Sequence, residues 1–104
     1  MPADAVGAEF NEVVHAPLRL RICGLLRSSG GIDFAVLRDT LVISDAVLSK
    51  HLKVLADAGF VTMTKAASAG RTDLRRVSWV TLTPAGAAAF DSHVRALRVI
   101  AGEV

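Results

Sequence analysis

Residues 33–60 constrain this chain more than any other stretch, because they read as two short amphipathic helices joined by a tight apolar turn. In the first, Phe34, Leu37 and Leu41 recur at helical spacing and leave Arg38 and Asp39 outside, with Asp33 placed to cap the start. Val42 and Ile43 are expected to fill the turn. Ser44 then offers a side-chain oxygen to the free N–H groups of a second helix, and Asp45 suits its positive end. Along that helix Leu48, Leu52 and Leu55 form one apolar stripe, and Gly59 stands where a left-handed C-terminal cap is expected. The opposite face carries Ala46, Ser49, Lys50 and Lys53. Short polar, methyl and cationic side chains near a helix N-terminus fit a major groove, so the pattern predicts a helix-turn-helix that meets DNA. The same periodicity also describes two helices of a plain bundle with a solvated polar face.

Residues 60–82 separate the two readings. Residues 60–64 alternate in strand fashion, residues 76–82 do so again, and the two strands are expected to pair. Between them runs a small-residue loop with a glycine and several cations, too long for a two-residue turn. From Lys65 to Arg76 the charges are Lys65, Arg71, Arg75 and Arg76 against Asp73 alone. Such a tip suits phosphate contact or minor-groove insertion, although basic hairpins also serve simply as soluble edges. Directly after a helix-turn-helix it reads as a wing.

With these elements in place the chain resembles the winged helix-turn-helix transcriptional regulators of the broad MarR and ArsR superfamily, most of all its small stand-alone members. The residues from His15 to Ile22 are similar to the start of the family's first helix, Leu48 to Leu55 to its recognition helix, and Ala58-Gly59-Phe60-Val61 to the exit into the wing. Leu82-Thr83-Pro84-Ala85-Gly86 resembles the family's boundary between wing and last helix. The fold class expected is mainly α with a small antiparallel β-hairpin (α+β), one winged helix-turn-helix domain over residues 1–104. The resemblance implies a dimer whose two recognition helices, about residues 45–58, enter successive major grooves while the wings, about residues 61–82, touch flanking backbone. It places Ser44, Asp45, Ala46, Ser49, Lys50 and Lys53 on or near the groove-facing surface, and Arg71, Arg75 and Arg76 on the wing. His51 reads equally as a packed, a capping or a phosphate-contacting histidine.

Composition agrees with one domain that binds a polyanion. At 104 residues and 52% apolar content there is room for one core and an additional buried interface. The net charge of +2 is modest, and acidic Asp4, Glu9 and Glu12 load the N-terminus, leaving the basic surplus elsewhere. No apolar run approaches the roughly 20 residues needed to span a bilayer, and Met1 to Asn11 lacks the regions of a signal peptide, so a cytoplasmic protein without membrane contact is expected.

The terminal segments are expected to build a homodimer. Pro17 starts a scaffold helix that turns Leu18, Ile22, Leu25 and Leu26 inward, and residues 28–31 end it. Thr83 caps a last helix with Pro84 in its first position. There Phe90, Val94, Leu97 and Ala101 recur along one side, with Ile100 adjacent. Together with Phe10, Val13 and Val14 these form the predicted interface, which is also where a small apolar effector would be enclosed. Packing of both helices on the chain's own domain is the plainer alternative.

Other chemistry is weak. Cys23 is the only cysteine and lies among Ile22, Leu25 and Leu26, as a small core residue would. His15, His51 and His93 are scattered, with no spacing that suits a metal and no cysteine cluster beside them. No phosphate-binding glycine loop or nucleophile arrangement is present, so neither a cofactor nor an enzyme is expected. The reading is a sequence-specific DNA-binding regulator, most simply a repressor that occludes a promoter. The alternative is a winged-helix protein–protein interaction module, which would bind with much less salt dependence.

Overall fold

The computed structural model describes residues 7–67 and 76–103. Its elements run α1 (Glu12–His15), α2 (Pro17–Ser29), β1 (Ile32–Asp33), α3 (Phe34–Leu41), α4 (Asp45–Asp57), β2 (Val61–Ala67), β3 (Arg76–Leu82) and α5 (Pro84–Ile100). Capping chemistry fixes most of these boundaries. Asp33 accepts from Ala35 N–H, Ser44 from Val47 N–H and Thr83 from Gly86 N–H, so α3, α4 and α5 each begin where a short oxygen-bearing side chain satisfies a free donor. Pro17 opens α2, and Gly30, with φ of 82°, closes it in the left-handed region.

The core is one cluster. Ile22, Cys23 and Leu26 of α2 meet Leu37 and Leu41 of α3, Leu48, Leu52 and Leu55 of α4, and Val61 and Val80 of the sheet. The three leucines of the α4 stripe have no exposed surface, which contributes about 1.5–3 kcal/mol each. Burying that stripe leaves the opposite face of α4 in solvent, so the core itself orients the polar face outward.

The fold differs from the sequence reading in three places. The hairpin is part of a three-stranded antiparallel sheet ordered β1-β3-β2, with Ile32 opposite Val80 and Asp33 opposite Trp79. A two-residue strand has no periodicity to reveal it, yet it ties the root of the hairpin to the residue that caps α3. A second short helix, α1, precedes the scaffold helix, and Asn11 caps it by accepting from Val13 and Val14 N–H.

The third difference is Val42. It does not fill the turn: it is 86% exposed, while Ile43 packs on the core. Val42 adopts φ of 55° and ψ of 52°, and the turn is closed by Val42 N–H to the Asp39 carbonyl and Ile43 N–H to the Arg38 carbonyl. The same kind of closure ends α4, where Phe60 N–H reaches the Leu55 carbonyl and the left-handed position holds Gly59, φ 82°. A β-branched residue there carries about 1–2 kcal/mol of strain. Glycine would remove it at an entropic cost of about 0.5–1 kcal/mol. Val42→Gly is therefore expected to stabilise the chain by about 0.5–1 kcal/mol, read as a raised urea midpoint; a lowered midpoint contradicts the strain.

Candidate nucleic-acid interface

Ala46, Ser49, Lys50 and Lys53 lie together on the exposed face of α4, as their spacing demands once Leu48, Leu52 and Leu55 are buried. Val47 belongs with them, at 38% exposed. Its apolar character hid it from sequence reasoning; only the direction of the stripe shows that it faces out. The polar members differ in how free they are. Ser44 is committed to the cap through its Oγ. Asp45 is held by Arg38, whose Nη1 donates at 2.8 Å while its Nε donates to Asp39 at 2.9 Å. Those two carboxylates push the Arg38 guanidinium pKa upward, and the pairing braces α3 against the start of α4. Lys53 Nζ lies 3.2 Å from Asp57 one turn on. Lys50 alone of these cations makes no ion pair among the described residues.

His51 faces inward, half-buried. Arg19 Nη1 on α2 lies 3.2 Å from its Nδ1, and burial first, then Arg19 and Lys50, pull its pKa below the ordinary value. Of the readings open at the sequence level, the packed one describes this contact. Arg19, which the sequence did not single out, also donates from Nε to the Val13 carbonyl at 2.6 Å. Cys23 is buried as expected, its thiol pushed up to about 11 by burial against the opposing effect of Arg19. Among the described residues no group of three metal-ligating side chains occurs.

The wing rises beside α4. β2 and β3 pair from Val61 opposite Leu82 to Ala67 opposite Arg76. Met63 and Lys65 share the sheet face that leads into the core, and both are exposed beyond it. With Phe34, Ser49 and Ser78 they line an open recess of about 380 Å³ between α4 and the hairpin. Its rim holds a hydroxyl from α4 and an ammonium from β2, and its floor is apolar. Arg71 and Arg75 lie outside the described residues; Arg76 begins β3.

The terminal segments divide. Val14 has no exposed surface, and Val13 and Phe90, partly buried, pack on the core of the same chain. The face of α5 turned inward carries Gly86, His93 and Ala96. Val94 and Leu97 are half-buried, Ala101 is exposed, and Phe10 and Ile100 are 42% and 69% exposed. Phe90 thus packs partly on the fold, and Ile100 lies at the surface. Arg27 and Asp91 clamp α2 to α5 through two bonds of 3.1 Å, which hold the Asp91 carboxyl below its ordinary value. No helix among the described residues is long and apolar enough to cross a membrane.

Comparison with known proteins bears on this surface. The family profile described as winged helix DNA-binding domain matches residues 18–101. Among solved structures, a transcriptional regulator homologue from Pyrococcus horikoshii OT3 is similar over 98% of this chain and 97% of its own, with 19% identity and a TM-score of 0.80. A possible transcriptional regulator for arsenical resistance shares 30% identity over 88% of this chain and 92% of its own, with a TM-score of 0.63. NadR in complex with 4-hydroxyphenylacetate shares 25% identity, with a TM-score of 0.67 over 89% of this chain and 62% of its own. No curated protein sequence matches the chain.

Proposed function

The chain belongs to the winged helix DNA-binding domain family and has the fold of its transcriptional regulators; on that premise we propose that it binds double-stranded DNA sequence-specifically, as a homodimer, and represses by occlusion. The observation that carries the proposal is the exposed face of α4, where Lys50, in no ion pair among the described residues, stands with Ala46, Val47 and Ser49 beside a recess whose far rim is Lys65. A methyl, a hydroxyl and an ammonium on one helix face are the groups that read base edges, and the wing cations add phosphate contacts. Arg71, Arg75 and Arg76 are proposed for that role. Ser44 and Asp45 are assigned a smaller part, since a cap and an ion pair already engage them.

Dimerisation is proposed through Phe10, Val13, Phe90, Val94, Leu97, Ile100 and Ala101, the residues of the predicted interface that the chain leaves wholly or partly uncovered. Two-fold symmetry would then set half-sites about 34 Å apart. A small apolar effector is proposed to bind beside Phe10, where an open recess of about 190 Å³ lies between the N-terminal segment and α5. That volume is below the roughly 300 Å³ of a self-sufficient ligand site, so a second copy would have to complete it. NadR in complex with 4-hydroxyphenylacetate supports a small-molecule effector on this fold. Nuclease footprinting on a selected operator tests the assembly. Two protected half-sites one helical turn apart are expected; protection of a single half-site overturns the dimer.

A further inference from the structure

Among the described residues His93 on α5 is the one buried side chain that is polar or charged, and it has no exposed surface. Asn11 N–H donates to its Nδ1 at 2.9 Å. Neutral His93 therefore carries its proton on Nε2, which lies 3.2 Å from His15 Nδ1 and donates to it. Phe10 packs against both imidazoles, with ring centroids 4.6 Å from His15 and 4.7 Å from His93. The contacts continue from there. Asn11 Oδ1 accepts from Val13 N–H, the Val13 carbonyl accepts from Arg19 Nε, and Arg19 Nη1 donates to His51 on α4. An unbroken path of hydrogen bonds thus joins the C-terminal helix to the recognition helix.

Both nitrogens of His93 are engaged, one as acceptor and one as donor. A second proton can only go on Nδ1, where it would face the Asn11 N–H donor, so charging His93 removes the bond that seats the N-terminal segment. We propose that Phe10, Asn11, His15 and His93 form an acid-released latch. Neutral His93 holds α1 on α5, and its protonation frees α1, withdraws the Val13 carbonyl from Arg19 and slackens the hold of Arg19 on His51, so that DNA affinity falls. This rests on the DNA-binding reading above.

The surrounding charges agree with that direction. Burial lowers the His93 pKa most, His15 lowers it further, and Glu12 on α1 opposes them. His51 is faced by Arg19 from α2 and by Lys50 on its own helix, both of which disfavour its charged form. Arg95 of α5 reaches back toward Gly7. A histidine whose folded value is depressed stabilises the fold above its unfolded value of about 6.5, and that stabilisation is lost as pH falls through the folded value. Opening is therefore an acid-side event.

Amide hydrogen exchange of the full chain at pH 7.5 and 5.5, corrected for intrinsic rates, tests the latch without DNA. Protection at residues 11–15 is expected to fall about tenfold or more at pH 5.5 while the α4 core amides hold. Operator affinity at fixed ionic strength is expected to fall about five- to tenfold. The sign is diagnostic, because added positive charge would by itself tighten DNA binding. His93→Gln, which keeps an acceptor but does not titrate, should abolish both changes. Should that variant fail to fold, ring-nitrogen NMR of the wild type at pH 8 decides instead, with His93 expected as the Nε2–H tautomer. Unchanged protection or an Nδ1–H tautomer overturns the latch. Altered protection with unaltered or tighter binding overturns its link to α4. Absence of DNA binding already at pH 7.5 counts against the functional reading alone, and the latch is still decided by exchange.

Discussion

Gly86→Ala is expected to destabilise the fold by about 3 kcal/mol, a fall in Tm of roughly 12–24 °C for a domain of this size. Gly86 stands in the first turn of α5, where the helix presses onto the exit from α4. A Cβ there would overlap the Phe60 carbonyl oxygen and lie 2.9 Å from both the Phe60 carbonyl carbon and Leu82 Cδ1. That oxygen has no freedom to retreat, since it accepts from Thr83 N–H at 2.9 Å while Thr83 Oγ1 donates to the Gly59 carbonyl at 2.7 Å. Relief requires α5 to lift from β2 and β3. Helix propensity alone predicts the opposite sign, a gain of about 1 kcal/mol for alanine over glycine. Urea unfolding of the two proteins settles which effect wins, and a variant as stable as the wild type would contradict the close approach.

Replacing Lys50 and Lys53 together with alanine is expected to weaken operator binding about 10- to 100-fold and to flatten the dependence of log affinity on log salt by about 2. Most of the loss should come from Lys50. Lys53 already faces Asp57 at 3.2 Å, so part of its charge is answered within the helix before DNA arrives. Neither lysine is buried, and the stability of the double variant should stay within about 0.5 kcal/mol of the wild type. Titration of a labelled operator at several salt concentrations, beside a urea melt, separates lost contacts from lost fold. Unchanged affinity in a folded double variant would remove α4 from the interface.

Local chemistry explains which parts of this fold were legible in the sequence. Asp33, Ser44 and Thr83 announced their helices because a cap is an exchange between near neighbours, and the α4 stripe fixed which face looks outward. The paired strands were readable from alternation. The features that escaped depend on residues far apart in the chain. β1 has two residues and exists only through Val80 and Trp79. Arg19 meets His51 across 32 positions, and His15 meets His93 across 78, so histidines that read as scattered are in contact. Val42 misled because an apolar residue in a turn suggests burial, whereas backbone geometry there turns its side chain to solvent. The packing of α1 on α5 within the chain is another contact between distant residues, which buries Val14 and partly buries Val13 and Phe90.

The central claim is that the outward face of α4 and the wing meet DNA. Retention of a genomic fragment pool by the full chain at about 0.05 and 0.2 M salt tests it most directly. The account predicts one enriched operator containing two half-sites, bound roughly 10³-fold or more weaker at the higher salt, as several phosphate contacts require. No fragment retained at low salt, or a partner protein held with little salt dependence, would contradict it and return the fold to a protein-docking role.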